Sequence, residues 1–340
     1  MKRYLLITIA SSAGLAMSWP PPVHADQGDA AFNIVRVEGR NYINLADFVR
    51  YYRFNSRWLE NNKIILLHSK YRKLKLTLNS RESFFNGVRL WLNDPPLEHH
   101  NSILISEADV DHTLDPLLRP WAVVRLKIKT IMIDAGHGGE DKGTQGCRGS
   151  LEKCFTLDLA GRVEKQLQKM GFQTLMTRRK DIYISLEDRS QMANSSMADL
   201  FLSLHFNSAS PNRLPKGVET YCLTPSGMSS TSAIRRRLGL DYFGVEPGNH
   251  FDPQNVLLAF LVQQKLLKAI PEAEDRGIKR ARFVVNKDTE RPSILVENGF
   301  LSNPIEEKYI LTKTYRERLA TGIAEGVKRF AEIMNAAPRK

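Results

Sequence analysis

Three apolar stretches of the chain end in a side chain that can bind a metal or move a proton. Ile131-Met132-Ile133-Asp134-Ala135-Gly136-His137-Gly138-Gly139 delivers a histidine into a glycine-rich turn, where missing side chains leave room for a substrate. Phe201-Leu202-Ser203-Leu204-His205-Phe206-Asn207 ends in a second histidine. Ile294-Leu295-Val296-Glu297-Asn298-Gly299-Phe300 ends in a glutamate, which an apolar approach would bury unless it has a role or a partner. Glu152 follows His137 by fifteen residues and opens an amphipathic stretch. Two histidines and a glutamate make the ligand set of a catalytic zinc site with its fourth position open to water. A further glutamate could take a proton from that water and deliver it to a leaving amine. The spacing leaves a second account open: histidines at strand ends are often satisfied structural residues, and Glu152 would also complement a helix N-terminus. The ligands do not follow the His-Glu-x-x-His pattern of helical zinc sites.

The elements that must position these groups alternate. Apolar strands are expected at Thr130 to Asp134, Phe172 to Thr177, Leu200 to Leu204, Val218 to Leu223 and Ile294 to Val296, with helical stretches between them. Phe155, Leu159, Val163, Leu167 and Met170 share one helix face, stopped by Gly171. Asp252 and Pro253 open another helix as N-cap and first-turn residue. This alternation argues an α/β domain with a mostly parallel sheet and helices on both faces, its ligands lying beyond the carboxyl ends of the strands.

Over residues 127–335 the sequence resembles the zinc-dependent N-acetylmuramoyl-L-alanine amidases. The resemblance is carried by Ile133 to Gly139, Leu151-Glu152-Lys153, Thr177-Arg178, Ser185-Leu186-Glu187-Asp188-Arg189 through Ala193-Asn194, Ala198 to Asn207, Gly217-Val218-Glu219, and Val296 to Pro304, in that order. It implies that His137, Glu152 and His205 bind Zn2+ and that Glu297 is the catalytic glutamate; Asn207 and Arg282 are the candidate substrate contacts beside them. The implied reaction hydrolyses the amide joining N-acetylmuramic acid to the L-alanine of the peptidoglycan stem peptide. Two departures bear on substrate contacts: Asn298 stands where the family usually has an apolar residue, and Arg282-Phe283 where it commonly has Asn-Phe. An insertion spans 224–252, rich in Ser, Gly and basic residues and including Arg235-Arg236-Arg237. It is expected to be a solvated wall or a lid, with His250 near the metal in the sharper version.

Residues 33–120 read as a small β-rich α+β domain. Ile34 to Arg40 is a strand and turn, Tyr42 to Arg53 has helical spacing, Lys63 to His68 and Leu74 to Leu78 are strands, and Asn86-Gly87 marks a hairpin. Asn44-Leu45-Ala46-Asp47-Phe48 is echoed by Ser106-Glu107-Ala108-Asp109-Val110. The region resembles the copper amine oxidase N-terminal-like domain through Tyr42-Ile43-Asn44-Leu45, Trp58, and Asn86-Gly87-Val88 before Pro95-Pro96. That resemblance implies a binding or positioning module without copper. Its histidines, His68, His99, His100 and His112, lack carboxylates or thiols at ligand spacing.

Residues 1–25 read as a secretory signal peptide: Lys2 and Arg3 precede an apolar run and the small-residue site Val23-His24-Ala25. Export to the periplasm or cell wall is therefore expected, with no membrane-spanning segment after cleavage. With 42% hydrophobic and 25% charged residues, the composition excludes a disordered, collagenous or multi-span membrane protein. The net charge of +12, less the two leader charges, predicts an anionic partner. Export makes that partner the wall polymer, and without a basic helix bearing interleaved aromatics it is not nucleic acid. Cys147 and Cys154 are close enough to pair, but free, buried thiols at all three cysteines, Cys222 included, are the expectation. Two other functions stay open in the sequence: a non-catalytic wall-binding protein with this fold, and a zinc peptidase that cuts within the stem peptide. A protein activator is a further partner the sequence neither names nor excludes.

Overall fold

The computed structural model describes residues 32–60, 63–231 and 244–337. The expected leader, residues 1–25, and the Arg235-Arg236-Arg237 run lie outside the described residues. The N-terminal region begins with β1 (Ile34–Val37), β2 (Arg40–Asn44) and α1 (Leu45–Tyr51). It continues with β3 (Asn55–Leu59), β4 (Ile64–His68), β5 (Lys73–Thr77), β6 (Glu82–Phe85), β7 (Val88–Trp91), β8 (Leu97–His99) and β9 (Ser102–Ser106). The helix expected from Tyr42 begins only at Leu45. Tyr42 and Ile43 instead pair with Ser106 and Ile105 of β9, and the Asn44 side chain accepts from Ala46 N to start the helix. The sequence echo is thus a structural one: each copy is a strand leading into a helical turn, and the two strands pair. Asn86 and Gly87 both have positive φ, 48° and 84°, which builds the tight β6–β7 turn the sequence predicts.

Short helices α2 (Glu107–Asp109) and α3 (Asp115–Leu118), joined by a turn of π-helix at Val110–Leu114, lead into the second half. There β10 (Thr130–Ala135), α4 (Glu152–Lys169), β11 (Gln173–Met176), α5 (Leu186–Asn194), β12 (Leu200–Asn207) and β13 (Val218–Leu223) are followed by α6 (Asp252–Ala269) and β14 (Asp275–Ala281). The chain ends with α7 (Val284–Lys287), β15 (Ser293–Phe300), α8 (Pro304–Leu311) and α9 (Lys313–Asn335). Among the described residues of this half the sheet is mostly parallel, as expected, with β13–β15 as the antiparallel pairing.

Alternation along the strands assigns the two faces. Ile131 and Ile133 of β10, with Leu200, Leu202 and Leu204 of β12, point into the main core with Leu159 and Val163 of α4, Val262 of α6 and Ile323 of α9. Met132, Phe201 and Leu295 point the other way, packing with Ala193 of α5 and Val285 of α7. Helix α6 opens differently from the expectation. A 3-10 turn at Pro247–Phe251 precedes it, so Phe251 is the N-cap and Asp252 lies inside the first turn.

Strand β14 has no counterpart in the sequence reading. Its segment Asp275-Arg276-Gly277-Ile278-Lys279-Arg280-Ala281 carries four charges and hides the apolar signal of a strand. It nevertheless lies inside a sheet of eleven strands ordered β11-β10-β12-β15-β13-β14-β7-β6-β5-β4-β3. The remaining four strands form a separate sheet, β1-β2-β9-β8. The cysteines are free, and only Cys222 is buried, which corrects the expectation of three buried thiols. Cys154 falls on the outward side of α4, whose buried positions include Glu152, Thr156, Leu159 and Val163, while Cys147 lies in the loop ahead of that helix. Among the described residues no helix is long and apolar enough to cross a membrane.

Candidate active site

His137 sits two residues beyond the end of β10, in a left-handed conformation with φ 61° that a side-chain-bearing residue adopts only under constraint. Two buried arginines supply the constraint. Arg178 donates to the carbonyls of Ala135 and Gly136, at 2.9 and 2.8 Å. Arg189 donates to those of Ala135 and His137, at 2.8 and 2.9 Å. Arg189 also pairs with buried Asp134, which accepts from Thr177 and Ser203 as well. The Thr177-Arg178 and Ser185-to-Arg189 strings, which had no individual role in the sequence reading, therefore hold the turn that presents His137. Gly136 makes room for the second histidine: a Cβ there would lie 2.3 Å from the His205 ring.

His137, Glu152 and His205 converge as the sequence predicts, with one potential ligand atom from each within 4.8 Å of the others. Glu152 Oε1 lies 3.1 Å from His137 Nε2 and 3.0 Å from His205 Nδ1. Backbone N–H groups fix that carboxylate from behind, Phe206 on Oε1 at 3.1 Å and Thr144 on Oε2 at 2.8 Å. Burial favours a neutral Glu152, but hydrogen bonds and charge from His137 and His205 outweigh it and hold the carboxyl well below the usual range. Burial likewise opposes a charged His137, and Glu152 together with Asp141 reverses that, raising its pKa.

Asp141 is a functional residue the sequence reading missed. Its Oδ2 lies 2.8 Å from His137 Nδ1, leaving Nε2 toward Glu152 and the ligand cluster. A carboxylate on the far nitrogen is the usual companion of a metal-bound histidine, since it fixes tautomer and ring orientation. The available signal was an acid four residues after a histidine in a glycine turn.

Glu297 lies on β15 with His205 of β12 as its register partner on one side and Glu219 of β13 on the other. Its Oε2 is buried without a hydrogen-bond partner among the described residues. Burial, then Glu152 and Glu219, push its pKa well above the usual value, against the opposing charge of Lys279. A carboxylate left this way beside three convergent ligand atoms is what a proton carrier at a metal-bound water requires, so these residues fit a metal.

Asn207 enters the same neighbourhood indirectly, donating from Nδ2 to Glu219 Oε1 at 2.8 Å. Arg282 is engaged elsewhere: its guanidinium donates to the carbonyls of Pro225 and Met228, at 3.2 and 2.9 Å, pinning the start of the insertion. His250 is exposed on the 3-10 turn and is not a member of the ligand cluster. Asn298, the unusual neighbour of Glu297, is buried and donates to the His205 and Val296 carbonyls, bracing the strand ends.

Residues 131–329 match the family described as N-acetylmuramoyl-L-alanine amidase. The chain belongs to that family. It is 33% identical over 217 residues to the amidase AmiA of Escherichia coli K12, spanning 58% of this chain and 75% of AmiA. It is also 33% identical to AmiC of Neisseria meningitidis, where the match spans 59% of this chain and 52% of AmiC. Among solved structures, AmiC2 of Nostoc punctiforme is 28% identical with a TM-score of 0.51, covering 61% of this chain and 99% of that one. The catalytic domain of CwlV, from Bacillus (Paenibacillus) polymyxa var. colistinus, is 29% identical with a TM-score of 0.50 and the same coverage. The amidase match and the ligand cluster occupy the same segment, and the N-terminal region up to Trp91 precedes it.

Proposed function

We propose that this amidase is an exported, zinc-dependent hydrolase of peptidoglycan that cleaves the amide between N-acetylmuramic acid and the L-alanine of the stem peptide. The observation that carries the reading is the convergence of His137, Glu152 and His205 beside a carboxylate whose buried oxygen has no partner among the described residues. Those three residues would hold the Zn2+, which would supply Lewis acidity at the scissile carbonyl and lower the pKa of water toward about 7. Glu297 would take the proton from the attacking water and hand it to the departing amine of L-alanine. Its raised pKa suits it to hold the proton between the two transfers. Asp141 orients His137, the backbone N–H groups of Thr144 and Phe206 orient Glu152, and the arginine clamps keep the turn in place. Asn207 acts at the site through Glu219, and Arg282 shapes the cleft through residues 225–228.

Residues 1–25 act as the signal peptide, and residues 33–120 form a copper amine oxidase N-terminal-like module attached to the amidase domain at 127–335. The net charge of +12, less the leader's Lys2 and Arg3, leaves +10, which favours encounter with carboxylate-bearing wall polymer by an attraction that weakens with salt. The test is metal content together with mass spectrometry of digested wall. Stoichiometric zinc and intact stem peptides bearing a free L-alanine amine support the reading. Cuts within the stem peptide would make the protein a peptidase, and an inert metal-loaded protein would make it a binding protein.

A further inference from the structure

The N-terminal region is not hung from the amidase domain on a linker. Phe85 of β6 meets Phe260 of α6 with ring centroids 5.3 Å apart, and one hydrophobic core includes Phe48 and Leu74 of the first region with Val262 and Ile323 of the second. The two halves of the large sheet meet where Leu90 of β7 pairs with Ile278 of β14. At this seam Arg89 N donates to Asp275 Oδ2 at 2.7 Å, and the Trp91 indole N–H donates to the Arg276 carbonyl at 2.9 Å. Gly277, with φ 83°, admits the close approach: a Cβ there would lie 2.6 Å from the Arg89 carbonyl oxygen.

The strand fixed by that seam carries two cations toward one carboxylate. Arg276 Nε and Lys279 Nζ donate to Glu219 Oε2 at 2.6 and 2.5 Å. The other oxygen, Oε1, accepts from Asn207 Nδ2 and the Tyr221 hydroxyl, both at 2.8 Å. Glu219 is buried and is the cross-strand partner of Glu297. Burial favours its neutral form, yet Lys279 and Arg276 outweigh this and keep it ionised. The Arg276 guanidinium also lies 4.8 Å over the ring of Phe300, three residues past Glu297 on the same strand. A buried carboxylate with four donors is sensitive to the loss of any one, because the charge that remains is then under-compensated.

We propose that Arg276 is a positioning residue that couples the docked N-terminal region to the catalytic glutamate. Its backbone receives Trp91, its side chain holds Glu219, and Glu219 holds the side chains flanking Glu297. The N-terminal region thereby works as part of the catalytic scaffold. Arg276 acts through Glu219 and Phe300 and touches neither Glu297 nor the ligand cluster among the described residues. The inference rests on the hydrolase reading above.

The test uses the full chain loaded with metal and compares Arg276→Ala, Arg276→Lys and Trp91→Phe, following hydrolysis of a soluble muropeptide. Arg276→Ala should lower kcat about tenfold and Trp91→Phe about threefold, the cost of a slightly misplaced catalytic group, with KM and metal content unchanged. Arg276→Lys should recover most of the loss. A merely structural role would lower Tm and leave kcat per bound metal intact, and that result would overturn the proposal, as would an effect confined to KM. Should Arg276→Ala fail to fold, Trp91→Phe, which removes a single N–H donor, decides by the same criteria. An active wild type matched by the variants removes this inference alone, whereas an inert wild type removes it together with the hydrolase reading.

Discussion

Glu152 and Glu297 are glutamates of one site, and their surroundings push them in opposite directions. Glu152 is met by two imidazoles and two backbone N–H groups and is held as an anion. Glu297 has a buried oxygen without a partner among the described residues and two other carboxylates as electrostatic neighbours, so it favours its proton. Two carboxyl groups whose environments separate their affinities for protons mark a division of labour, one fixed and one mobile in its charge. Residue type does not make this division. It comes from where each strand or helix ends: Glu152 opens α4 facing both histidines, while Glu297 lies on β15 opposite Glu219.

The comparison breaks most visibly at the anionic side. His137→Ala should abolish metal binding and reduce turnover to background; stoichiometric metal in that variant, by elemental analysis, would remove the ligand assignment. On the protonated side, Glu297→Ala should keep metal and fold and lose turnover by about 10²–10⁴-fold, the usual worth of a general acid–base group. A kcat close to wild type would leave Glu297 without a chemical role. A smaller effect sharpens the anionic half: Asp141→Asn should weaken metal affinity about 10–100-fold, as losses of such supporting partners do. Competition with a chelator measures it, and an unchanged constant would reduce Asp141 to a loop residue.

The smallest effect concerns stability of the metal-free protein. A raised carboxyl pKa means that the folded state binds the proton more tightly than the unfolded state. The cost of ionising Glu297 is therefore absent below the unfolded value of 4.5, grows as pH rises through the folded pKa, and is full above it. Glu297→Gln should accordingly raise the Tm of the metal-free protein by a few degrees at neutral pH, with the gain fading toward pH 4. Melting curves showing a gain that instead grows as pH falls would reverse the sign assigned to Glu297.

The parts of the site legible in the sequence were those carried by apolar runs with an abrupt polar end, as at Asp134-Ala135-Gly136-His137, Leu204-His205 and Val296-Glu297. Each run is buried as a central strand, and the polar residue at its end has few reasons to be there other than chemistry. What stayed hidden was held by contacts between distant segments. Strand β14 gives no apolar strand signal because its charged residues Asp275, Arg276 and Lys279 find their partners outside the segment, at Arg89, Gln263 and Glu219. Arg178 and Arg189 were visible as motif letters, but nothing local says that an arginine will be buried against the carbonyls of residues 135–137. Burial at Glu219 was equally unreadable, since its donors come from β12, β13 and β14. The helix placed too early at Tyr42 and the thiols expected to be buried fail for the same reason: pairing with β9 and the outward side of α4 are tertiary facts.

The seam at Gly277 also has a mechanical meaning. The sheet pairing there is one residue pair wide, Ile278 with Leu90, flanked by the Asp275 and Trp91 hydrogen bonds and backed by the core that both regions share. A pull on the N-terminal region directed along the strands would load these bonds together in shear. A pull across the strands would load them one after another, with the Phe85–Phe260 contact and the shared core resisting separation. Tension on that region would thus reach the Glu219 side of the cleft through the strand that carries Arg276.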